Sequence, residues 1–497
     1  MERRKFVQLA AVGTGATLAG LKWLRAADAP AAVSTAATAP KGAPVALPIS
    51  IAALATRDLD AMFDAMRSRA GVNVLFPFIY SHEPHRGGLP EKGFHGGNFA
   101  MPHLQYYHET PLTLTDMRAP EFGDVDVLAH VIPVAQKHGI RVFCFLLEDN
   151  VRPPLVPNWQ ALYEIDHHGR RADRHPGGPC YNNPHYQNFG LGLVEDYARS
   201  YAIGGIMWGS ERQSGLLNAL GLSQSPHQDP GRATCFCEFC AKRGRARGID
   251  VERARAGFGA VEKFLLASRA GERPRDGYFT AFWRILLDHP EVLAWANLWV
   301  TSRHEFQASI YRRVKSVNPS LLVGWHAWHN MSFSPFQRAE ESFAEMTAYS
   351  DFLRPAIYNN VAGTRFLSFV EGAQHGVFGD LTPEAILELL CQQQNYPHEA
   401  RFDQLAAAGL STDYVERETR RAVDDVAGSA TQIWPGVDVD VPLVPGMTPL
   451  TPEAVGRAVT AAFRGQAQGI ILSRNYVEMR PENLSGAGEA LRRLGVI

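Results

Sequence analysis

The sequence predicts an α/β fold of the (β/α)8 TIM barrel class, in which eight parallel strands close into a barrel surrounded by helices. Eight short apolar segments alternate along the chain with segments whose apolar residues recur at helical spacing, the order that produces a parallel sheet. No Gly-rich phosphate-binding loop follows the first four strands, which favours a barrel over a dinucleotide-binding sheet. We expect long insertions after strands 2, 4 and 6.

The first half of the chain supplies four of the strands. These predicted strands are residues 47–51, 72–80, 140–148 and 204–208, and the helices between them are residues 58–69, 124–138 and 188–202. The first strand is weakly defined. The second is followed by a long loop, residues 81–121, whose many His, Tyr and Gly residues favour a functional role.

The second half supplies the other four strands, residues 321–329, 351–358, 431–440 and 469–476. A helical, Cys-rich insertion at about 212–320 precedes the first of them. The insertion after strand 6, residues 359–429, contains predicted helices at 383–394 and 412–426. Thr451 and Pro452 begin a helix that reaches residue 466, and a further helix follows the last strand. We therefore expect residues 46–497 to form one barrel-shaped catalytic domain.

The N-terminal segment has the features of an export signal. Arg3 and Arg4 precede an apolar run, rich in Gly and Ala, that reaches about Gly20, and residues 1–29 resemble a twin-arginine signal peptide. The apolar run is shorter than a membrane span needs, so stable membrane insertion is not expected. Residues 30–45 are rich in Ala, Pro and Thr and predict a disordered linker. The expected location is periplasmic or secreted.

The composition limits the classes of partner. A formal net charge of −2 gives no electrostatic reason to expect binding to nucleic acid or to an anionic membrane. Nine Trp and fifteen Tyr suit a cleft that stacks on sugar rings, although a large core uses the same residues. The oligomeric state is not predicted.

Carboxylates at the ends of the predicted strands are the candidate catalytic groups, because barrels of this class carry their active sites at the C-terminal ends of the strands. Hydrolysis of a glycosidic bond needs two carboxyl groups, one that donates a proton and one that acts as nucleophile or base. The carboxylates at or just beyond strand ends are Glu148, Glu211, Asp438, Asp440 and Glu478. The alternative for Glu211 is a structural ion pair with Arg212 or Arg474.

Four of the six Cys residues are spaced as metal ligands. Cys235, Cys237 and Cys240 form a C-x-C-x-x-C motif, and Cys180 precedes it by some fifty residues. Four thiolates would form a closed tetrahedral site with a structural role. One disulfide with a free pair, or reduced thiols without metal, are the alternatives, since export permits disulfides. Cys144 and Cys391 lie in apolar or helical segments and are expected to be packing residues.

The segment around Glu211 resembles a known enzyme family. The chain has Cys-Tyr-Asn-Asn-Pro-x-Tyr from Cys180, then a strand that ends in Glu, then the C-x-C-x-x-C motif and the tail Gly248-Ile249-Asp250. This pattern, over residues 180–255, is similar to the β-galactosidases of glycoside hydrolase family 42. The resemblance implies that Glu211 is the general acid/base and that Cys180, Cys235, Cys237 and Cys240 bind a structural zinc ion.

The chain departs from that family in two positions that matter for catalysis. Ser210 stands where the family has an Asn that binds the sugar 2-hydroxyl, and strand seven carries Asp438 and Asp440 where the family has its nucleophilic Glu. The family's trimerisation and C-terminal domains are not expected either. The chain therefore resembles a divergent clan-A-like hydrolase, with Asp438 as the favoured second carboxylate. Asp440, Glu148 or a substrate-assisted mechanism are the alternatives.

Further residues at strand ends are candidate substrate contacts. They are Glu148, His326, His329, Tyr358, Trp434, Arg474 and Tyr476. Each could equally belong to the core. The sequence thus predicts an exported glycoside hydrolase with a carbohydrate substrate, a structural zinc and no organic cofactor. The alternatives are a carbohydrate-binding protein on a degenerate barrel, or a carbohydrate lyase that uses a Tyr or His of the loop after strand two.

Overall fold

A computed structural model describes residues 40–81, 97–98, 100–108, 125–148, 159–171, 178–223, 231–399 and 401–497. Eight parallel strands form a closed barrel, as the sequence predicts. They are β1 (Val45–Ile49), β2 (Val74–Ser81), β3 (Arg141–Glu148), β4 (Gly205–Ser210), β5 (Leu322–Ala327), β6 (Phe352–Ile357), β7 in two pieces (Gln432–Ile433 and Gly436–Asp438) and β8 (Ile470–Ser473).

Strand pairing follows chain order around the barrel and closes it. The first strand, β1, pairs with β2 through Ala46 and Val74, and it pairs with β8 through Val45 and Ile470. A two-residue strand, Gly97–Asn98, pairs antiparallel with the end of β2. All the C-terminal strand ends therefore lie at one face of the barrel, where the candidate site was expected.

Seventeen helices lie in the described part of the chain. They are α1 (Ile51–Thr56), α2 (Leu59–Ala70), α3 (Val127–Lys137), α4 (Pro184–Ser200), α5 (Gly215–Ala219), α6 (Glu238–Ala246), α7 (Val251–Arg269), α8 (Tyr278–Asp288), α9 (Glu291–Val317), α10 (Pro335–Glu340), α11 (Phe343–Met346), α12 (Asn359–Gln374), α13 (Pro383–Gln394), α14 (Leu405–Ala408), α15 (Thr412–Asp425), α16 (Pro452–Arg464) and α17 (Pro481–Arg493).

Capping side chains fix where several of these helices begin. Asp58, Asp126 and Thr451 accept hydrogen bonds from backbone N–H groups in the first turns of α2, α3 and α16. Such caps satisfy amide groups that the helix itself leaves without a partner. The helices predicted near residues 58, 124 and 452 accordingly begin within a few residues of those positions.

Aromatic side chains fill the barrel interior. Phe76, Phe143, Phe352 and Trp434 are fully buried there, and Trp434 stacks on Phe352 with ring centroids 4.2 Å apart and planes 14° apart. The seventh strand is interrupted at Trp434-Pro435, and Trp434 lies inside the barrel rather than at its rim. The interior beneath the strand ends is thus a packed core, as in other barrels of this class.

The insertions lie after strands 2, 4 and 6, as predicted. Helices α5 to α9 occupy the insertion after β4, and α12 to α15 occupy the one after β6. Much of the loop after β2, including His82, His85 and His95, lies outside the described residues, as do the predicted export signal and most of the predicted linker. None of the described helices is both long and apolar enough to cross a membrane.

Candidate active site

A cavity of about 470 Å³ opens at the C-terminal end of the barrel. Among the described residues that line it, the acidic and basic side chains are one carboxylate, one imidazole and three guanidinium groups. These are Glu211, His326, Arg354, Arg365 and Arg474. A larger surface groove, of about 790 Å³, lies against α13, but none of its described lining residues comes from a strand end. The cavity at the strand ends is therefore the candidate active site.

Glu211 is held at the edge of this cavity by its position in the chain. It directly follows Ser210, the last residue of β4, and its side chain is 26% exposed. Its Oε1 lies 3.3 Å from Nε2 of His326 on β5. The carboxyl group is therefore reachable by a ligand while one oxygen has a fixed partner.

His326 connects Glu211 to the neighbouring strand. Arg354 of β6 donates from Nη1 to Nδ1 of His326 over 2.5 Å. Because a guanidinium can only donate, Nδ1 must be the acceptor, so the ring proton is on Nε2 and faces Glu211. Burial and the positive charge of Arg354 lower the pKa of His326 to about 4. His326 is accordingly neutral at physiological pH and donates to Glu211 without a full charge.

Arg354 is almost completely buried, with 3% exposure. It is two residues beyond Phe352, so it points to the same inner face of the barrel. Its Nη2 donates to the hydroxyl of Tyr358 and, over 2.8 Å, to Oγ of Ser473. A side chain at Gly436 would place its Cβ 3.0 Å from Nε of Arg354, so the absence of a side chain there makes room for the guanidinium.

Arg365 reaches the cavity from α12. Its Nη1 donates to Nδ1 of His329 over 2.9 Å, and burial lowers the pKa of this arginine. His329 is 1% exposed, and its Nε2 lies 3.0 Å from the Tyr414 hydroxyl. His329 therefore lies behind Arg365 and supports it, whereas His326 and Tyr358 line the cavity directly.

Asp438 lies behind the cavity wall, not on it. It is 1% exposed, and its two oxygens accept hydrogen bonds from the backbone N–H groups of Val361, at 3.3 Å, and Val441, at 3.0 Å. Both of those residues line the cavity. Burial raises the pKa of Asp438 to about 6. The carboxylate thus anchors the start of α12 and the loop after β7.

The remaining candidates near strands seven and eight have other surroundings. Asp440 accepts from Nη2 of Arg480 over 2.6 Å and from Asn483 over 2.8 Å, so it ties the loop after β7 to α17. Arg474 lines the cavity and pairs with Glu478 over 2.8 Å. Tyr476, in the turn after β8, packs against the hydrophobic core, and the cavity lining does not include it.

Glu148 belongs to a buried ionic network beside the cavity. Its Oε1 accepts from Arg212 over 2.7 Å, and its Oε2 accepts from Trp208 and Tyr181. Arg212 also pairs with Glu164 over 2.8 Å. Burial raises the pKa of Glu148. Arg212 therefore forms ion pairs with Glu148 and Glu164, and Arg474 forms one with Glu478.

The structure brings the four predicted thiol ligands together. Sγ of Cys180 lies 3.5 Å from the sulfurs of both Cys237 and Cys240, and the four sulfurs, including that of Cys235, all lie within 4.8 Å of one another. All six Cys residues lie in the described part of the chain and none forms a disulfide. Tetrahedral zinc with Zn–S bonds of about 2.3 Å would separate its sulfurs by about 3.8 Å, so the cluster could hold a metal ion.

Neighbouring polar groups support the thiol cluster. Asn182 donates from Nδ2 to Sγ of Cys240 over 3.3 Å, and the backbone N–H of Ile165 donates to Sγ of Cys235 over 3.5 Å. Such hydrogen bonds orient metal ligands. The cluster connects the turn before α4 to the start of α6, so it fastens the insertion after β4 to the barrel.

Arg354 and Arg365 were not among the residues predicted from the sequence. A charged residue within the apolar run Asp351 to Tyr358 was a usable signal for Arg354, since a charge inside a buried strand requires a local partner. No comparable signal existed for Arg365, because its role depends on where the first turns of α12 lie relative to the barrel. Ser210 stands where the family that this segment resembles has Asn. Its Oγ lies 3.1 Å from the hydroxyl oxygen of Tyr181.

Comparison with known proteins gives likeness in structure only. No protein-family model and no curated protein matches the sequence. A β-galactosidase from the psychrophilic Marinomonas ef1 matches with a TM-score of 0.50 and 10% identity, over 91% of this chain and 59% of that one. The glycoside hydrolase domain of PgaB (BpsB) from Bordetella bronchiseptica gives 0.48 and 12%, over 92% and 99%.

A third similar structure is α-L-fucosidase isoenzyme 2 from Paenibacillus thiaminolyticus. Its TM-score is 0.47 and its identity 13%, over 92% of this chain and 49% of that one. The chain thus spans about half of the fucosidase and 59% of the β-galactosidase. At such identities, the likeness to the β-galactosidase is one of fold, in agreement with the closed parallel barrel.

Proposed function

We propose that the chain is a glycoside hydrolase that cleaves an O-glycosidic bond of an oligosaccharide or glycoside, with Glu211 as its proton donor. The observation that carries this proposal is the place of Glu211. Among the described lining residues it is the one carboxylate of the cavity at the strand ends, and it is partly exposed beside a neutral histidine. The glycoside hydrolase names of the similar structures agree with the proposal.

The contacts of Glu211 suit a group that gives up a proton and regains it. A proton donor in this reaction delivers its proton to the leaving oxygen of the glycosidic bond. His326 fixes one carboxyl oxygen through its Nε2 proton, so the orientation of the carboxyl group is set. Arg354 in turn fixes the ring of His326. His326 and Arg354 are therefore positioning residues for the acid.

Asp438 is the second carboxylate in this proposal. Charge on Arg365 interacts with both Glu211 and Asp438, so this guanidinium lies within electrostatic reach of both carboxyl groups. With its pKa raised to about 6, Asp438 is largely ionised at neutral pH, the form a nucleophile or base needs. Its burial means that substrate binding must open the wall formed by Val361 and Val441 for direct attack.

We further propose that the four thiols bind zinc. The donor set fits a structural zinc site, because four thiolates leave no open position for water or substrate. Bound zinc would stabilise the start of α6 against the turn before α4. The proposal places the protein outside the cytoplasm through residues 1–29, which have the sequence of a twin-arginine signal.

The test is hydrolysis by the purified protein with and without the Glu211 carboxyl group. Residues 46–497 are screened against aryl glycosides of both anomeric configurations and against plant and bacterial oligosaccharides. Glu211→Gln should lower turnover at least ~10²-fold, because it removes the proton donor. Glu252→Gln, at a carboxylate 73% exposed on α7, is the matched control and should retain activity.

Other outcomes of this screen identify the rival functions. If wild type and Glu211→Gln are both inert yet bind a glycan equally, the barrel is a carbohydrate-binding protein. The burial of Asp438 favours that rival, since it leaves the cavity lining with one described carboxylate. A product with an unsaturated sugar that absorbs in the ultraviolet would indicate a lyase. The lyase would use a Tyr or His of the loop after β2 as its base. In that loop, Nδ1 of His103 lies 2.7 Å from Oδ1 of Asp196 on α4.

A further inference from the structure

Two arginines of the cavity have no carboxylate partner in the described part of the chain. Arg354 contacts His326, Tyr358 and Ser473, and Arg365 contacts His329, all of which are neutral acceptors. The other large buried guanidinium near the site behaves differently, since Arg212 binds two carboxylates. Among the described residues, the cavity thus contains two guanidinium groups that form no ion pair, although the charge of Glu211 acts on Arg365.

Burial makes this arrangement costly without a ligand. Arg354 is 3% exposed, and its Nε–H has no acceptor among the described residues. A buried charge that lacks an opposite charge is strongly unfavourable, and buried donors are nearly always satisfied. An anionic group bound in the cavity would offset this charge.

The two guanidinium groups both lie against the ring of Tyr358. The Cζ atoms of Arg354 and Arg365 are 5.5 Å and 5.6 Å from the ring centroid of Tyr358. The Tyr358 ring lines the cavity, so both charges border the space that a sugar would fill. Guanidinium groups are suited to carboxylates and sulfates, which they can bind through two parallel hydrogen bonds.

The proposed chemistry increases the positive charge. As a proton donor, Glu211 must be neutral when substrate binds. Asp438 is then the carboxylate whose negative charge still acts on Arg365. The pair Arg474 and Glu478 contributes no net charge. The cavity is therefore positive in the state that binds substrate.

We propose that the substrate is an acidic glycan whose sugar, bound in this cavity, presents a carboxylate or a sulfate ester to Arg354 and Arg365. This inference rests on the proposed glycosidase function and names its substrate class: a uronic acid or a sulfated sugar. The arginines bind the anion, and Tyr358 separates and packs against both guanidinium groups.

Matched substrates test the inference through activity. Nitrophenyl glucuronides and galacturonides are compared with the corresponding glucosides and galactosides, in both anomeric forms. We expect kcat/KM to be at least ~10²-fold higher for a uronide than for its neutral partner, and Arg365→Gln to lower it for the uronide at least ~10-fold, as for loss of a hydrogen bond between charged groups. The neutral glycoside should change less than about threefold.

Variants separate the charge from the fold. Arg365→Lys keeps the charge and should recover part of the uronide activity, and Arg354→Lys does the same where Arg354→Gln does not fold. Arg401→Gln removes a charge from an arginine that is 82% exposed and outside the cavity, so it should leave both activities unchanged. Equal or higher kcat/KM on the neutral glycosides, unaffected by Arg365→Gln, would overturn the inference and leave the hydrolase intact.

A binding experiment distinguishes this inference from the hydrolase proposal. Calorimetry of Glu211→Gln measures binding of D-glucuronate, D-galacturonate, D-glucose and glucose 6-sulfate. Binding of an acid that is lost in the double variant with Arg365→Gln supports an anion site even when no glycoside is hydrolysed. The stronger of the uronate and sulfate responses identifies the anionic group. No binding of any acidic sugar, with glucose bound normally, contradicts the inference.

Discussion

Glu211 and Arg212 are neighbours in sequence but belong to two ionic clusters of opposite character. Arg212 joins a closed network, which we define as Glu148, Arg212 and Glu164, where both carboxylates lie within 2.8 Å of the guanidinium. Glu211 belongs to an open site, which we define as Glu211, His326, Arg354 and Arg365. There the guanidinium groups contact neutral acceptors. The two clusters share the rim of one barrel.

We infer from this difference that the charges of the closed network stabilise the fold and that those of the open site bind a ligand. In the closed network each carboxylate has further donors: Trp299 and Thr234 donate to Glu164, and Trp208 and Tyr181 donate to Glu148. Arg212 also lies 4.6 Å above the Tyr181 ring. A buried network of paired charges fixes the relative positions of its elements, and removal of one partner leaves the others unpaired. In the open site, Arg354 and Arg365 have no carboxylate partner among the described residues, and a ligand can therefore provide the negative charge.

Loss of metal is expected to have the largest effect, and to act on the closed network first. Thr234, next to Cys235, binds Glu164 over 2.8 Å, so the thiol cluster and the network share a backbone segment. Cys237→Ser should remove one zinc ion per chain and expose residues 231–246 to hydrogen exchange, because structural zinc sites contribute folding energy directly. Metal analysis and exchange mass spectrometry are the measurements, with Cys391→Ser as control. Full zinc content in Cys237→Ser would contradict the assignment.

The next prediction breaks the closed network without touching the open site. Arg212→Met should lower the free energy of unfolding by about 3–5 kcal/mol, because it strands two buried carboxylates. Urea denaturation gives the value. Arg365→Met, the counterpart in the open site, should cost less than about 1 kcal/mol because no carboxylate loses its partner. Equal costs for the two variants would show that the clusters do not differ as described.

The third prediction concerns the ionisation of Asp438 and its effect on stability as pH changes. Its folded pKa of about 6 exceeds the ~3.9 of an unfolded Asp, so the folded state holds the proton between those values and its stability falls as pH rises through them. Asp438→Asn cannot ionise. From pH 4.5 to pH 7 its free energy of unfolding should therefore improve relative to wild type by about 2 kcal/mol.

Urea denaturation of Asp438→Asn and wild type at the two pH values measures this change. Asp440→Asn, at the partly exposed neighbour, is the control and should show no such trend. A constant difference between Asp438→Asn and wild type would mean that Asp438 titrates as an exposed group does.

The fold could be predicted from the sequence because the strands are defined by local composition. All eight predicted strands occur, since short apolar runs between helical segments fix where each begins. The break in β7 was not predictable from period two alone. Alternation puts Trp434 and Asp438 on one face of an unbroken strand. The interruption at Trp434-Pro435 leaves Trp434 in the core and Asp438 behind the wall.

The site could be predicted in part, and the missing part is tertiary. Glu211 and the four thiols follow from motifs within residues 180–255, and the structure places them at a cavity edge and in one cluster. Arg354 and Arg365 come from a strand and a helix with no shared motif. Their convergence on Tyr358 depends on the packing of α12 over β6, which no local pattern encodes.

The smallest expected effect comes from the partly exposed ion pair of Arg474 and Glu478. Arg474 is 43% exposed and pairs with Glu478, so Glu478→Gln should change the free energy of unfolding by less than about 1 kcal/mol. The variant nevertheless removes the negative charge of Glu478 from beside Arg474, whose guanidinium also lines the cavity. Binding of D-glucuronate to Glu478→Gln should therefore tighten about threefold at low salt and lose that gain at 0.5 M salt, because exposed charges are screened. Weaker binding of glucuronate would show instead that Glu478 holds Arg474 in the orientation that binds the ligand. The Arg474–Glu478 ion pair would then assist Arg354 and Arg365 in binding the anion.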